Sequence, residues 1–296
     1  MARSGDLFLT ALAPTIWGST YLVTTELLPD GYPVTVAMLR ALPAGLLLLL
    51  LVRRLPSRDW WGRILVLGAL NFSIFWALLF VAAYNLPGGV AATVGAIQPL
   101  IVIFLAHLFL GSPFRALSVV AATAGLGGVA LLILTPEAAL NPIGVAAGLG
   151  GALSMAAGTV LSRKWQPPVS LLTFTAWQLA AGGLLLLPLS LWVEPSLPVL
   201  TAKNMMGLAY LGLIGAAFTY FLWFRGVSLI EPSAVSTLGF LSPVTAVVLG
   251  WWVLGQDLTP WQIAGALTVL GSVWLSQIAT RRPREILPPG PRVLKT

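Results

Sequence analysis

Few side chains in this sequence could do covalent or acid–base chemistry. There is no cysteine, one histidine and nine carboxylates, so disulfides, iron–sulfur clusters and thiolate metal sites are excluded and little is left for any metal site. What remains is suited to binding. Arg40 lies seven residues beyond Pro33 in an apolar run, about 10 Å from its start at 1.5 Å per residue. Trp17, Tyr21, Phe75, Trp76, Trp177 and Tyr220 also lie well inside apolar stretches, and Phe72, Phe75, Trp76 and Phe80 make an i, i+3, i+4, i+8 stripe. Gln98 and Ser242 each stand immediately before a proline, and Gln178 is a further neutral polar group in an apolar run. Together these groups could hold a flat, weakly polar solute between aromatic faces and hydrogen-bond its edge.

Each of these residues also has a plainer reading. An aromatic stripe at helical spacing packs helices as readily as it lines a cavity. Arg40 could attract a substrate carboxylate, bond carbonyls freed by a kink, or snorkel to an interface. Gln98, Gln178, Ser242, Thr93, Ser236 and Thr237 could contact a solute or satisfy carbonyls released by proline. His107 falls three residues from the end of its apolar run, which is a helix-end position rather than that of a buried proton relay. No nucleophile–base pair, metal constellation or cofactor fingerprint is present, so no catalytic residue, metal or cofactor is expected.

The elements that position these residues are membrane spans. The chain is 58% apolar and 8% charged, against the roughly 25% charge of soluble domains. A helix crosses the hydrocarbon layer in about 20 residues, and ten apolar windows of that length occur: Leu7 to Leu27, Pro33 to Val52, Ile64 to Tyr84, Val90 to Leu110, Ala116 to Leu134, Ile143 to Leu161, Ser170 to Val193, Met205 to Phe224, Ser233 to Leu254 and Trp261 to Ala279. The first is long enough to be a full span rather than a cleaved signal. Trp60, Trp61, Trp165, Trp192, Trp251, Trp252, Trp261 and Trp274 fall near span ends, where indole rings anchor at the interface. The proline-rich stretch 281–296 reads as a disordered cytoplasmic tail.

Basic residues orient the bundle. With the N-terminus inside, fourteen of the sixteen Lys and Arg residues fall in cytoplasmic segments, and the outer segments hold Lys203 with Glu26, Asp30, Glu137, Glu194 and Asp257. The positive-inside rule therefore predicts that both termini are cytoplasmic. The net charge of +7 is accounted for by these loops, and no nucleic-acid partner is expected.

Thr93-Val-Gly95-Ala-Ile-Gln98-Pro99 returns 144 positions later as Thr237-Leu-Gly239-Phe-Leu-Ser242-Pro243. Laid over 211–275 without a gap, residues 67–131 match at fifteen of sixty-five positions, and an offset of 138 sets Arg40 against Gln178 and Gly45 against Gly183. The chain thus divides into residues 1–138 and 139–280, five spans each. An odd number of spans turns the second copy upside down, giving an all-α integral membrane protein of ten helices in two inverted five-helix repeats. Gly95 and Pro99, and Gly239 and Pro243, weaken two helices near mid-membrane and are expected to act as paired hinges. Small-residue faces such as Ala121-x3-Gly125 on the fifth span and Ala264-x3-Thr268 on the tenth allow close helix approach, within a monomer or across a homodimer.

These features resemble the drug/metabolite transporter superfamily, in its ten-helix EamA-type branch. The resemblance rests on Trp17-Gly18-Ser19, Arg40, Gly95-x3-Pro99, Gly239-x3-Pro243, Leu110-Gly111 and Leu254-Gly255. Ser112 and Gln256 stand where the family often has an acidic residue after Leu-Gly, with Asp257 one position later. The group it looks most like is the bacterial aromatic amino-acid exporters. The resemblance implies alternating-access export of small metabolites across the inner membrane, with Trp17, Tyr21, Arg40, Phe75, Trp76, Gln98, Trp177, Gln178, Tyr220 and Ser242 as candidate substrate contacts. A drug or nucleotide-sugar transporter of the same fold is the alternative within transport. A non-transporting receptor or structural membrane protein is the alternative outside it.

Overall fold

The computed structural model describes residues 4–86, 88–133 and 141–280. Among them, ten helical segments are long and apolar enough to cross a membrane. The sequence-predicted tail 281–296 lies outside the described residues.

The helices are α1 (Ser4–Leu27), α2 (Pro33–Val52), α3 (Arg58–Gly68), α4 (Ile74–Asn85), α5 (Gly88–Gly95), α6 (Gln98–Leu110), α7 (Ala116–Ile133), α8 (Pro142–Lys164), α9 (Leu171–Val193), α10 (Ala202–Ala209), α11 (Thr219–Leu229), α12 (Pro232–Leu238), α13 (Leu241–Leu254) and α14 (Pro260–Ala279). A π-helical turn at Ala69–Ser73 joins α3 to α4 in the third span, and another at Tyr210–Phe218 joins α10 to α11 in the eighth. The third and eighth spans begin earlier than hydropathy indicates, at Arg58 and Ala202. Their first turns are polar and amphipathic, so the hydropathy windows miss them.

The fourth and ninth spans differ from expectation in a specific way. Pro99 and Pro243 do not lie in helix interiors. The helix stops at Gly95 and at Leu238, two residues turn, and α6 and α13 start afresh with proline in the first turn. In that position a missing N–H costs nothing. The turns tighten to i→i+3 bonds, from Ile97 N to Val94 O (3.3 Å) and from Phe240 N to Thr237 O (3.2 Å).

Helix ends follow local chemistry. The Asn141 side chain caps α8, and Thr201 with Asn204 and Thr259 with Gln262 form capping boxes at α10 and α14. The Leu-Gly pairs are left-handed C-caps: Gly111 and Gly255 both have φ 65°. The N–H groups of Gly111 and Gly255 reach back to Ala106 O and Gly250 O, and those of Ser112 and Gln256 share the same carbonyls at 3.2 Å, so each helix end closes through its left-handed glycine. Three helix starts in the first half (33, 58 and 116) have counterparts at 171, 202 and 260, offsets of 138, 144 and 144.

Two helix pairs join the halves along small-residue faces. A Cβ on Gly45 would collide with the backbone of Ala180, and one on Gly183 would come within 2.6 Å of Leu42 Cα. In the other pair, a Cβ on Gly128 would lie 2.9 Å from Val269 N and one on Gly265 2.8 Å from Leu132 N. As residue numbers rise on one partner they fall on the other, so α2 runs antiparallel to α9 and α7 antiparallel to α14. The outer face is apolar, with Trp192, Trp252, Trp261 and Trp274 directed outward, whereas Trp60 and Trp165 pack against the cluster around Ile64.

Gly183→Val is therefore expected to lower the thermal unfolding midpoint in detergent, by about 1–3 kcal/mol of overpacking or more. Gly127→Val, in a position with nothing within 4 Å, serves as the control and should change it little.

Candidate functional site

A cavity of about 510 Å³ lies between the two broken helices and the aromatic faces of α1, α4 and α11. Its mouth is at the loop joining α1 to α2, where Pro29, Asp30 and Tyr32 form the rim. Its depth is bounded by Gly95, Gln98 and Pro99 from one half and Gly239, Ser242 and Pro243 from the other. Both Gly/Pro breaks thus face one space, and the free edges of their turns are the backbone a solute would meet.

The wall is a continuous aromatic stack. Ring centroids are 4.9 Å apart for Trp17–Tyr220, 5.2 Å for Trp17–Trp223, 4.6 Å for Phe72–Tyr220 and 5.5 Å for Phe72–Trp76. These spacings suit tilted and edge-to-face packing. The stack keeps Trp17, Trp76 and Tyr220 in place while each presents surface to the cavity.

A single carbonyl organises the polar side. In the second π-helical turn, the N–H of Thr219 bonds Ala216 O and Ile214 O, and Gly215 O accepts from two side chains. Arg40 Nη2 donates to it at 2.6 Å and Thr219 Oγ1 at 2.8 Å. The Thr219 hydroxyl in turn accepts from Trp17 Nε1 at 2.9 Å. Arg40 Cζ also lies 5.3 Å from the Trp76 ring centroid, within cation–π range. The guanidinium is thus held by a backbone carbonyl and an aromatic face while still lining the cavity. Both a structural and a ligand role are open to it at once.

Seven of the sequence-derived candidates line this cavity: Trp17, Arg40, Phe75, Trp76, Gln98, Tyr220 and Ser242. The side chain of Tyr21 lies outside the described residues. Trp177 and Gln178 do not line it. Trp177 packs with Ile64, Leu67 and Phe174 and donates its Nε1–H to Arg54 O at 2.7 Å, toward the end of the bundle opposite the mouth. Gln178 Oε1 accepts from Asn71 Nδ2 at 2.8 Å, and Ser162 joins them. Residues 173 to 183 of α9 are buried throughout, so periodicity gave no signal of which face meets which neighbour. Trp223, Thr219 and Phe240 were missed. For Trp223 a signal existed, since it stands three residues beyond Tyr220 on the same helical face.

The end opposite the mouth is closed. Arg225 pairs with Asp6 at 2.5 Å, Arg163 Nη1 donates to Val227 O at 3.0 Å, and Gln277 Nε2 donates to Ala234 O at 3.0 Å. Thr10 fills the space over Gly226. At the mouth end, the Glu194 carboxylate accepts from Val34 N at 2.6 Å and Thr35 N at 2.7 Å, capping α2 from the end of α9 as an anion at a helix N-terminus.

With this geometry in place, comparison with known proteins is decisive. The EamA-like transporter family matches the chain twice, over residues 3–134 and 142–277. The chain belongs to that family. It is accordingly a multi-pass membrane protein of the drug/metabolite transporter superfamily. Among its relatives, Protein PecM of Dickeya dadantii is 46% identical over 267 residues, covering 90% of each chain. The uncharacterized transporter YvbV of Bacillus subtilis is 28% identical over 93% of this chain and 92% of its own. The uncharacterized inner membrane transporter YedA of Escherichia coli is 29% identical over 82% and 81%. A solved crystal structure superposes with a TM-score of 0.80 at 20% identity, covering 95% of this chain and 100% of its own, which establishes the shared fold.

Thr219→Val keeps the side-chain volume and removes the acceptor of Trp17 Nε1, so it is expected to destabilise the protein by about 1–3 kcal/mol, read as thermal unfolding in detergent. Thr268→Val, whose exposed hydroxyl bonds only Ala264 O, should leave the midpoint unchanged.

Proposed function

We propose that this transporter exports small, flat metabolites, aromatic and other apolar amino acids foremost, across a bacterial inner membrane by alternating access. The observation that carries the reading is the one-ended cavity: aromatic walls and a held guanidinium at one end, an ion pair and crossed hydrogen bonds at the other. The basic loops favour a cytoplasmic position for the Asp6–Arg225 end, so this state is open to the outside. The matched helix starts and the antiparallel pairing of α2 with α9 and α7 with α14 support two inverted halves whose exchange would turn the opening inward. In this reading Trp17, Phe75, Trp76 and Tyr220 hold the ring, Gln98 and Ser242 offer neutral hydrogen bonds, and Arg40 takes a carboxylate. Gly95–Pro99 and Gly239–Pro243 are the hinges.

A nucleotide-sugar would need several basic groups for its phosphates, and Arg40 is the one Lys or Arg among the described lining residues. Asp30 is the one acidic residue among them, and it stands at the rim. A proton-driven carrier usually has its carboxylate in the interior, so the lining supports a facilitative or weakly coupled exporter.

Proteoliposomes should move L-tryptophan and L-phenylalanine down their gradients with no imposed pH difference. Flux strictly dependent on such a difference would refute the facilitative reading, and transport of cationic drugs without either amino acid would refute the substrate class. Pro99→Ala and Pro243→Ala should each slow turnover several-fold at unchanged thermal stability, measured on the same preparations. Unchanged turnover in both would reduce the prolines to architecture.

A further inference from the structure

The cavity described above has a sealed counterpart on the other side of the bundle. Arg40 and Gln178 are each seven residues into matching helices, α2 from Pro33 and α9 from Leu171. Asn71 in the first π-helical turn matches Gly215 in the second at the offset of 144. Arg40 donates to Gly215 O, and Gln178 Oε1 accepts from Asn71 Nδ2. The same pair of matched positions is therefore in contact twice, both times across the two halves. The correspondence extends further: Ser162, in contact with both amides, matches Thr24 at the offset of 138, and Thr24 lines the open cavity.

The two copies differ in exposure and in charge. Arg40 faces the cavity, whereas Asn71 and Gln178 are 0% exposed and Ser162 is 2% exposed. Among the described residues, Asn71 Oδ1 and Gln178 Nε2 have no hydrogen-bond partner. A buried acceptor and a buried donor are thus left unmatched in this state, a costly arrangement that calls for a reason. Gly158 lies directly against the Asn71 amide, so the cluster is tightly enclosed. Packing alone would be served better by aliphatic side chains of the same volume.

We propose that Asn71, Ser162 and Gln178 form a second substrate contact site, which opens to the cytoplasm when the cavity closes to the outside. This rests on the alternating-access reading. The site is uncharged. It engages carbonyl, N–H or O–H groups of the solute through neutral hydrogen bonds, where the outer site offers a guanidinium. The same solute is therefore gripped by amides when it enters from the cytoplasm and by Arg40 before it leaves.

The absence of native cysteine makes the test direct. Arg40→Cys and Gln178→Cys are each introduced alone and treated with a membrane-impermeant maleimide in right-side-out and inverted vesicles. Arg40→Cys is expected to react from the outside and Gln178→Cys from the cytoplasmic side, the latter several-fold more slowly in saturating L-tryptophan. Ser162→Cys reports on the same site if Gln178→Cys does not fold. Reaction of Gln178→Cys from the outside, or of neither inner-site variant from either side, overturns the proposal. Sided reaction that L-tryptophan does not slow, in a protein whose wild type transports it, overturns the contact and leaves alternating access standing. Wild-type proteoliposomes that fail to move L-tryptophan would instead overturn the amino-acid reading, while the sided labelling still decides whether the inner site opens.

Discussion

A carbonyl released inside a bilayer has no water to turn to, and this chain releases carbonyls at its Gly/Pro breaks and π-helical turns. Each departure from α-helical geometry must bring its own partner, because an unsatisfied backbone group in hydrocarbon costs several kcal/mol. Gly215 O is taken by Arg40 and Thr219, and Leu70 O in the first π-helical turn accepts from Ser154 Oγ at 2.8 Å. At the two breaks, the backbone closes into i→i+3 turns. The carbonyls so paired lie on the protein side of their turns, while Leu213, Ile214 and Phe218 of the second π-helical turn are exposed on the outer face.

The same requirement explains why polar residues gather where they do. Arg40 sits beside the second π-helical turn, Asn71 within the first, and the Thr219 hydroxyl relays the bond from Gly215 to Trp17. Aromatic packing then closes over this polar thread, with Tyr220 in contact with Trp17, Phe72 and Phe224. Function-related geometry and membrane stability are supplied here by the same side chains. The halves are held together separately, by glycine faces that let α2 approach α9 and α7 approach α14 without side chains between them. In lipid, where apolar burial gives little drive, this close van der Waals packing does much of the work of association.

Much of this was legible in the sequence. Ten spans followed from hydropathy, and the Leu110-Gly111 and Leu254-Gly255 pairs marked two helix ends that carry identical left-handed caps. The Gly/Pro motif located both breaks, although it implied bent helices where the chain makes full interruptions. The π-helical turns left no signature, because Ala69–Ser73 and Tyr210–Phe218 have the composition of ordinary helix. For the cavity, seven lining residues could be named from their depth, an aromatic stripe and their place before a proline. Trp177 and Gln178 could not be separated from them, since α9 is buried on all sides along that stretch. Glu194 was legible only as an acidic loop residue; its role as the cap of α2 requires knowing that the end of α9 meets the start of α2.

The unlike pair Arg40 and Gln178 has a thermodynamic consequence. If the halves exchange arrangements, the inward-open state encloses the Arg40 guanidinium where Gln178 is enclosed now, and charge is far more costly to enclose than an amide. The two conformations would then differ in free energy in the absence of ligand. An empty carrier would dwell facing outward, and each 1.4 kcal/mol of that difference would weight the populations about ten-fold. A substrate carboxylate would repel no neighbour and would neutralise the guanidinium, so the loaded carrier would be the one in which the two states lie closer in energy. A single unmatched residue in the repeated design would then set which way the empty carrier faces, while the solute gradient would still set the direction of net flux.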